Sequence, residues 1–167
     1  RRQRQMCIRD RGYSMDNIIV KLDEQSVNEF WQLRMELLKE LEEINRKTDI
    51  SELESATKQY YLSHINKDLI SWGILHENKL VAIGSLCLFE RIPYEENLNG
   101  LEGYILNIYT SPKFRKQKFA NCILNEIINY ASKIHVKRLW LNSSEQGKKL
   151  YVERGFIKKE NEMELFL

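Results

Sequence analysis

The chain has 167 residues, of which 43% are apolar and 30% charged, with a formal charge of +2. That length suits one domain with a full hydrophobic core, and the composition is that of a globular protein rather than a disordered or fibrous one. No apolar run approaches the roughly 20 residues that cross a bilayer, no charged-then-apolar signal opens the chain, and the cysteines at 7, 87 and 122 form no disulfide framework. A reducing, cytoplasmic setting is therefore expected.

The charge is unevenly spread. Arg1, Arg2, Arg4, Arg9 and Arg11 against Asp10 give +4 within residues 1–14, which leaves −2 for the rest. A basic arm can serve nucleic acid, but RRQRQMCIRDRG has neither helical nor strand period and precedes Met15, a plausible start. It resembles translated sequencing-adapter sequence. Residues 1–14 are expected to be a non-native or disordered extension, and the domain to occupy 15–167. Without the arm, a nucleic-acid partner has no support.

From Met15 onward the elements follow in order. Ile18 to Leu22 reads as a short strand, with Asp23 as a helix N-cap. Val27, Trp31, Met35, Leu38 and Leu41 then recur every three or four residues, which predicts an amphipathic helix from Glu24 to about Ile44. A second helix is expected from Ser51, capped by that serine with Glu54 at capping-box spacing, to about His64. Leu69 to Leu75 and Leu80 to Glu90 read as strands joined by a hairpin at Glu77-Asn78. The second of them, LVAIGSLCLF, is apolar enough to be a central strand covered on both faces. RIPYEENLNG, residues 91–100, is a polar connection.

Tyr104 to Thr110 is the next strand, stopped by Ser111-Pro112 because proline has no ladder donor. A basic turn, Lys113 to Lys118, leads into a helix whose face is Phe119, Ile123, Ile127, Ala131 and Ile134. Strand, basic turn and helix N-terminus together suit a phosphate, because a first helical turn has free N–H groups and a partial positive charge. Arg138 to Asn142 is a short strand. Ser143 or Ser144 caps a helix from Glu145 to Arg154, ended by Gly155. Gly155 to Lys159 and Glu162 to Leu167, with Met163, Leu165 and Leu167 alternating, read as a closing strand pair. The order β-α-α-β-β-β-α-β-α-β-β predicts a single α/β domain with a mixed sheet between helices.

This order, with YILNIYTSPKFRKQKFA and later KKLYVERGF, resembles the GNAT superfamily of acyl-CoA-dependent N-acetyltransferases over essentially Met15 to Leu167. The resemblance implies helices on both faces of the sheet and splayed fourth and fifth strands. The family motif R/Q-x-x-G-x-G/A falls on Arg115, Lys116, Gln117, Lys118, Phe119 and Ala120, whose main-chain N–H groups would bind the coenzyme A pyrophosphate. Lys118 stands where the first glycine is usual. Glycine allows close backbone approach; a lysine must swing outward or meet a phosphate as a point charge.

By the same resemblance, Tyr151 would protonate the departing thiolate, although it could instead be core packing. Glu102 would be the base that deprotonates an ammonium substrate, against the plainer reading of a strand-end carboxylate or a water relay. Backbone groups of Leu106, Asn107 and Ile108 would hold the pantetheine arm and the acetyl carbonyl, with an N–H near Ile108 stabilising the oxyanion. Asn142 would contact the arm or cap the fifth strand. Trp31, Arg34, Tyr94 and Tyr104 are candidates to line the acceptor pocket or to pack.

His64, His76 and His135 lack metal-ligand spacing, so no metal is expected. Cys87 and Cys122 read as packing residues. The implied activity is transfer of an acetyl group from acetyl-CoA to a primary amine, small or peptidic, by direct attack, in a chain compatible with a homodimer. A non-catalytic acyl-CoA-binding domain of the same fold is the alternative.

Overall fold

The computed structural model describes residues 17–45 and 47–167. The expected extension, residues 1–14, lies outside the described residues. The chain runs β1 (Asn17–Lys21), a 3-10 turn (Glu24–Ser26), α1 (Val27–Glu40), α2 (Ile50–His64), β2 (Leu69–His76), β3 (Lys79–Glu90) and β4 (Leu101–Thr110). A second 3-10 turn (Pro112–Phe114), α3 (Phe119–Lys133), β5 (Arg138–Trp140) and α4 (Lys148–Glu153) follow.

The five strands form one sheet in the order β1-β2-β3-β4-β5, antiparallel throughout except for the parallel β4–β5 pair. β3 is the central strand, buried from Leu80 to Leu86. Its hairpin with β2 turns at Glu77 and Asn78, whose φ values of 47° and 64° are those a two-residue type I′ turn requires.

Each face of the sheet carries a core. Phe119, Ile123, Leu124, Ile127 and Ala131 of α3 pack on Ile70, Trp72, Val81, Leu86 and Ile105. Phe30 and Leu33 of α1 with Tyr61 of α2 pack on Leu69, Leu80, Ile83 and Tyr109 on the other face. Alternation along the strands sends successive side chains to the two layers, which gives an α/β domain with helices on both sides. Gly84 is what allows α3 to come so close. A Cβ built there would lie 2.4 Å from Ile123 and 2.6 Å from Ile108.

Several local expectations differ from what forms. Asp23 does accept from the Gln25 N–H, but it caps a 3-10 turn, and α1 proper starts at Val27 and stops at Glu40. α2 is capped by Asp49, which accepts from the Glu52 N–H, rather than by Ser51. Both residue types cap well, and the aspartate comes first in the chain. α4 is only Lys148–Glu153, with Ser144 instead accepting from the Gly147 N–H ahead of it.

The closing strand pair does not form. Residues 156–167 hold no strand, and Met163, Leu165 and Phe166 are exposed. Their alternation is genuine, but a strand exists only against a partner edge, and β5 offers a ladder of three residues already paired to β4 on one side.

Candidate active site

The turn between β4 and α3 carries Lys113, Arg115, Lys116 and Lys118. Arg115 is extended, and Lys116 and Lys118 both occupy the left-handed region, at φ 64° and 61°. Lys118 is the N-cap of α3 and makes no side-chain cap. The glycine slot of the motif thus does require a positive φ, and the lysine adopts it. Among the described residues, the N–H groups from Lys116 to Asn121 donate to no backbone carbonyl. The first turn of α3 has no acidic residue, so nothing there opposes a pyrophosphate.

The Arg115 side chain is employed otherwise. Its Nε donates to the Thr110 carbonyl at 2.9 Å, its Nη2 meets Glu40 at 2.5 Å, and its guanidinium lies over the Tyr109 ring. Pairing with Glu40 pushes its pKa up. It fastens the turn to α1. Phe119 is buried in the core, while Gln117 and Ala120 are half-buried and Lys116 and Lys118 exposed.

The second feature is a gap between parallel strands. β4 and β5 pair only through Glu102↔Arg138, Gly103↔Leu139 and Tyr104↔Trp140. Beyond that, among the described residues the β5-facing edge of β4 at Ile105 to Ile108 has no ladder partner. On its other edge β4 carries a bulge. Ser85 opposes Leu106 and Ile83 opposes Tyr109, so Asn107 and Ile108 face the single Gly84. Asn107 takes φ 62° there, and a bulge of this kind bends the strand and strengthens its twist.

Tyr151 of α4 is half-buried against the α3-side core and meets Phe156 edge-on at 5.8 Å. Burial, with the neighbouring Tyr104 phenol, pushes its pKa up to about 12. It therefore holds its proton throughout the neutral range. Tyr104 packs across the β4–β5 pair, its ring 4.5 Å from that of Trp140. The Asn142 side chain is exposed.

Glu102 is fully buried at the start of β4. Its Oε1 accepts from the Tyr94 hydroxyl at 2.8 Å and from Arg91 Nη1 at 3.4 Å, and its Oε2 accepts from Arg138 Nη1 at 3.1 Å. Donation to this carboxylate keeps the Tyr94 proton in place and raises its pKa. The carboxylate thus ties the 91–100 connection to β4 and β5.

On the α1/α2 face a pocket of ≈ 250 Å³ opens beside the bulge. Phe30, Leu69, Leu106 and Tyr60 supply apolar wall, and Arg34 is its one charged residue. Arg34 Nη1 donates to Asn107 Oδ1 at 3.0 Å, while Asn107 Nδ2 is buried with no acceptor among the described residues. An orphaned buried donor costs about 1–3 kcal/mol. Cys87 lines the same pocket, and burial pushes its thiol pKa up, which keeps it protonated. The Arg34–Asn107 pair joins residues 73 apart in the chain, and no local pattern announces it. The only sequence signal was the polar residue type at 34 on an otherwise apolar helix face. Trp31 is core.

Among the described residues no three His, Cys, Asp or Glu side chains converge on a metal site, and no helix is long and apolar enough to cross a membrane.

The mixed sheet thus parts at β4–β5, and β4 runs on into the basic turn ahead of α3. The Acetyltransferase (GNAT) family model matches residues 31–156, and the chain belongs to that family. A predicted acetyltransferase from Clostridium acetobutylicum, solved with acetyl-CoA, is similar over 90% of this chain and 96% of its own, at 25% identity and TM-score 0.79. Glucosamine-6-phosphate N-acetyltransferase from Arabidopsis thaliana is similar over 90% and 97%, at 17% identity and TM-score 0.69. Ribosomal-protein-alanine N-acetyltransferase from Brucella melitensis is similar over 90% and 98%, at 17% identity and TM-score 0.67. No curated protein matches the sequence significantly.

Proposed function

We propose that this chain is an acetyl-CoA-dependent N-acetyltransferase that acts on a primary amine by direct transfer in a ternary complex. The observation that supports the reading most is the β4 edge at 105–108, which β5 leaves without a ladder partner and which leads directly into the basic turn at 115–120; Tyr151 is a half-buried phenol on α4. Acetyl-CoA supplies an acetyl group already activated as a thioester.

The chain's own residues do the rest. N–H groups from Lys116 to Ala120 hold the pyrophosphate, helped by the α3 dipole. Backbone groups of Leu106, Asn107 and Ile108 hold the arm and polarise the acetyl carbonyl, an effect often worth about 3 kcal/mol. Asn142 and Tyr104 fix the β5 side of the gap. As the carbon–sulfur bond breaks, Tyr151 donates its hydroxyl proton to the sulfur, and the proton lost by the amine nitrogen restores the phenol.

For Glu102 the geometry favours positioning over the expected base role, because both its oxygens are already engaged by guanidinium and phenol donors. The amine then enters as its free base. Thiol release from acetyl-CoA that depends on an added primary amine tests the proposal.

A non-catalytic acyl-CoA-binding domain is the second reading, motivated by the lysine held at a positive φ where the motif has glycine. Binding of acetyl-CoA with no amine-dependent thiol release would favour it.

A further inference from the structure

Arg34 sits in the pocket wall with one hydrogen bond, to a neutral amide oxygen, and among the described residues no carboxylate lies within ion-pair distance of it. Burial pulls its pKa below the usual guanidinium value, opposed in part by the more distant Glu43. A half-buried cation without a counter-ion is an unfavourable arrangement unless an anion completes it. It also retains free N–H donors in the planar fork that suits a carboxylate.

Two of the pocket's lining residues, Leu106 and Asn107, belong to the β4 stretch that borders the gap, and Cys87 is the register partner of Tyr104. The rest of the wall is apolar at Phe30, Ala56 and Leu69, with the Tyr60 ring and the small polar residues Thr57 and Ser85, and it carries no acid. At ≈ 250 Å³ the pocket is smaller than the ~300–1,000 Å³ that drug-sized ligands fill. A cationic, apolar and small pocket disfavours a large polycationic acceptor.

We propose that the acceptor is a small apolar amino acid, its carboxylate bound by Arg34, its side chain in the Phe30–Leu69–Tyr60 pocket and its amine at the β4 bulge. This rests on the acetyl-transfer reading and adds the substrate class to it. Asn107 positions the guanidinium through Oδ1, and its unpartnered Nδ2 stands at the bulge where a ligand oxygen would satisfy it.

The test uses the full chain with acetyl-CoA and measures thiol release. The acceptors are leucine, methionine and phenylalanine, each beside its carboxamide and its decarboxylated amine, compared at equal free-base concentration. At least one free acid is expected to exceed its carboxamide and its decarboxylated amine by tenfold or more in kcat/KM. Arg34→Met, similar in length and uncharged, should lower kcat/KM for that acid at least tenfold more than for its decarboxylated amine, chiefly through KM.

A purely structural Arg34 would depress both substrates alike, and that result overturns the proposal. So does turnover of the carboxamides or amines, or of amines outside the panel such as spermidine, with no preference for any acid. In those cases acetyl transfer itself stands. Absence of thiol release with every amine overturns both readings.

Discussion

Replacing Lys118 by glycine separates what the backbone of the turn does from what the charge does. Lys118 holds φ 61° and ψ 21° at the N-cap of α3, with no side-chain cap bond. The left-handed conformation costs a non-glycine residue about 1–2 kcal/mol. Glycine avoids that cost but returns ~0.5–1 kcal/mol through its freer unfolded chain. The net expectation for Lys118→Gly is a gain of about 0.5–1 kcal/mol, read as a Tm rise of roughly 1–4 °C at the ~2–4 °C per kcal/mol of a domain this size. If main-chain N–H groups bind the pyrophosphate, calorimetry should find acetyl-CoA affinity equal or tighter. Lys118→Ala, which removes the charge but keeps the strained conformation, should bind equally well without the Tm gain. A tenfold loss of affinity in both variants, ~1.4 kcal/mol, would refute the backbone account and put the ammonium on a phosphate.

Other substitutions probe the rest of the gap. Tyr151→Phe should lower kcat by about 10²–10⁴-fold, the usual range for a lost general acid, with acetyl-CoA affinity unchanged by calorimetry. Because burial raises the Tyr151 pKa to about 12, the donor form persists below that pH and is lost only above it. The kcat profile should therefore show no descending limb up to about pH 11 from this group, and kcat/KM should rise with the free-base fraction of the amine. Glu102→Gln should destabilise the fold by roughly 1–3 kcal/mol in denaturant titration, at the lower end because Arg91 and Arg138 are 51% and 40% exposed. The shape of its pH profile should match wild type; loss of an acidic limb would instead restore the base role. Gly84→Ala should cost about 1–3 kcal/mol by overpacking, since its Cβ would meet Ile123 and Ile108. It should also weaken acetyl-CoA binding by displacing the α3 N-terminus, and full affinity would contradict that coupling.

What the sequence disclosed follows from the range over which each signal acts. The α3 face and the core strand β3 were legible because burial imposes a period on consecutive residues. The Glu77-Asn78 turn was legible because few residue pairs stand between two apolar runs in that way. The αL position at 118 was visible only as the place where a family glycine is missing. Signals two residues apart were harder to separate, as with Asp49 and Ser51 competing to cap α2. Strand propensity at Met163 to Leu167 was misleading, because alternation says which face is apolar but not whether an edge is available. The contacts that define the pocket and the Glu102 cluster join distant segments: Arg34 to Asn107, and Arg91, Tyr94 and Arg138 to Glu102. Those are products of the sheet register. Only the fold brings them together.

The measurement closest to the central claim is thiol release from acetyl-CoA by the purified chain, with and without a panel of primary amines, beside calorimetry of acetyl-CoA on the same sample. The account predicts tight binding, negligible release alone, and release that saturates with at least one amine and falls by about 10² or more in Tyr151→Phe. A well-folded sample that binds acetyl-CoA yet releases no thiol with any amine would contradict it.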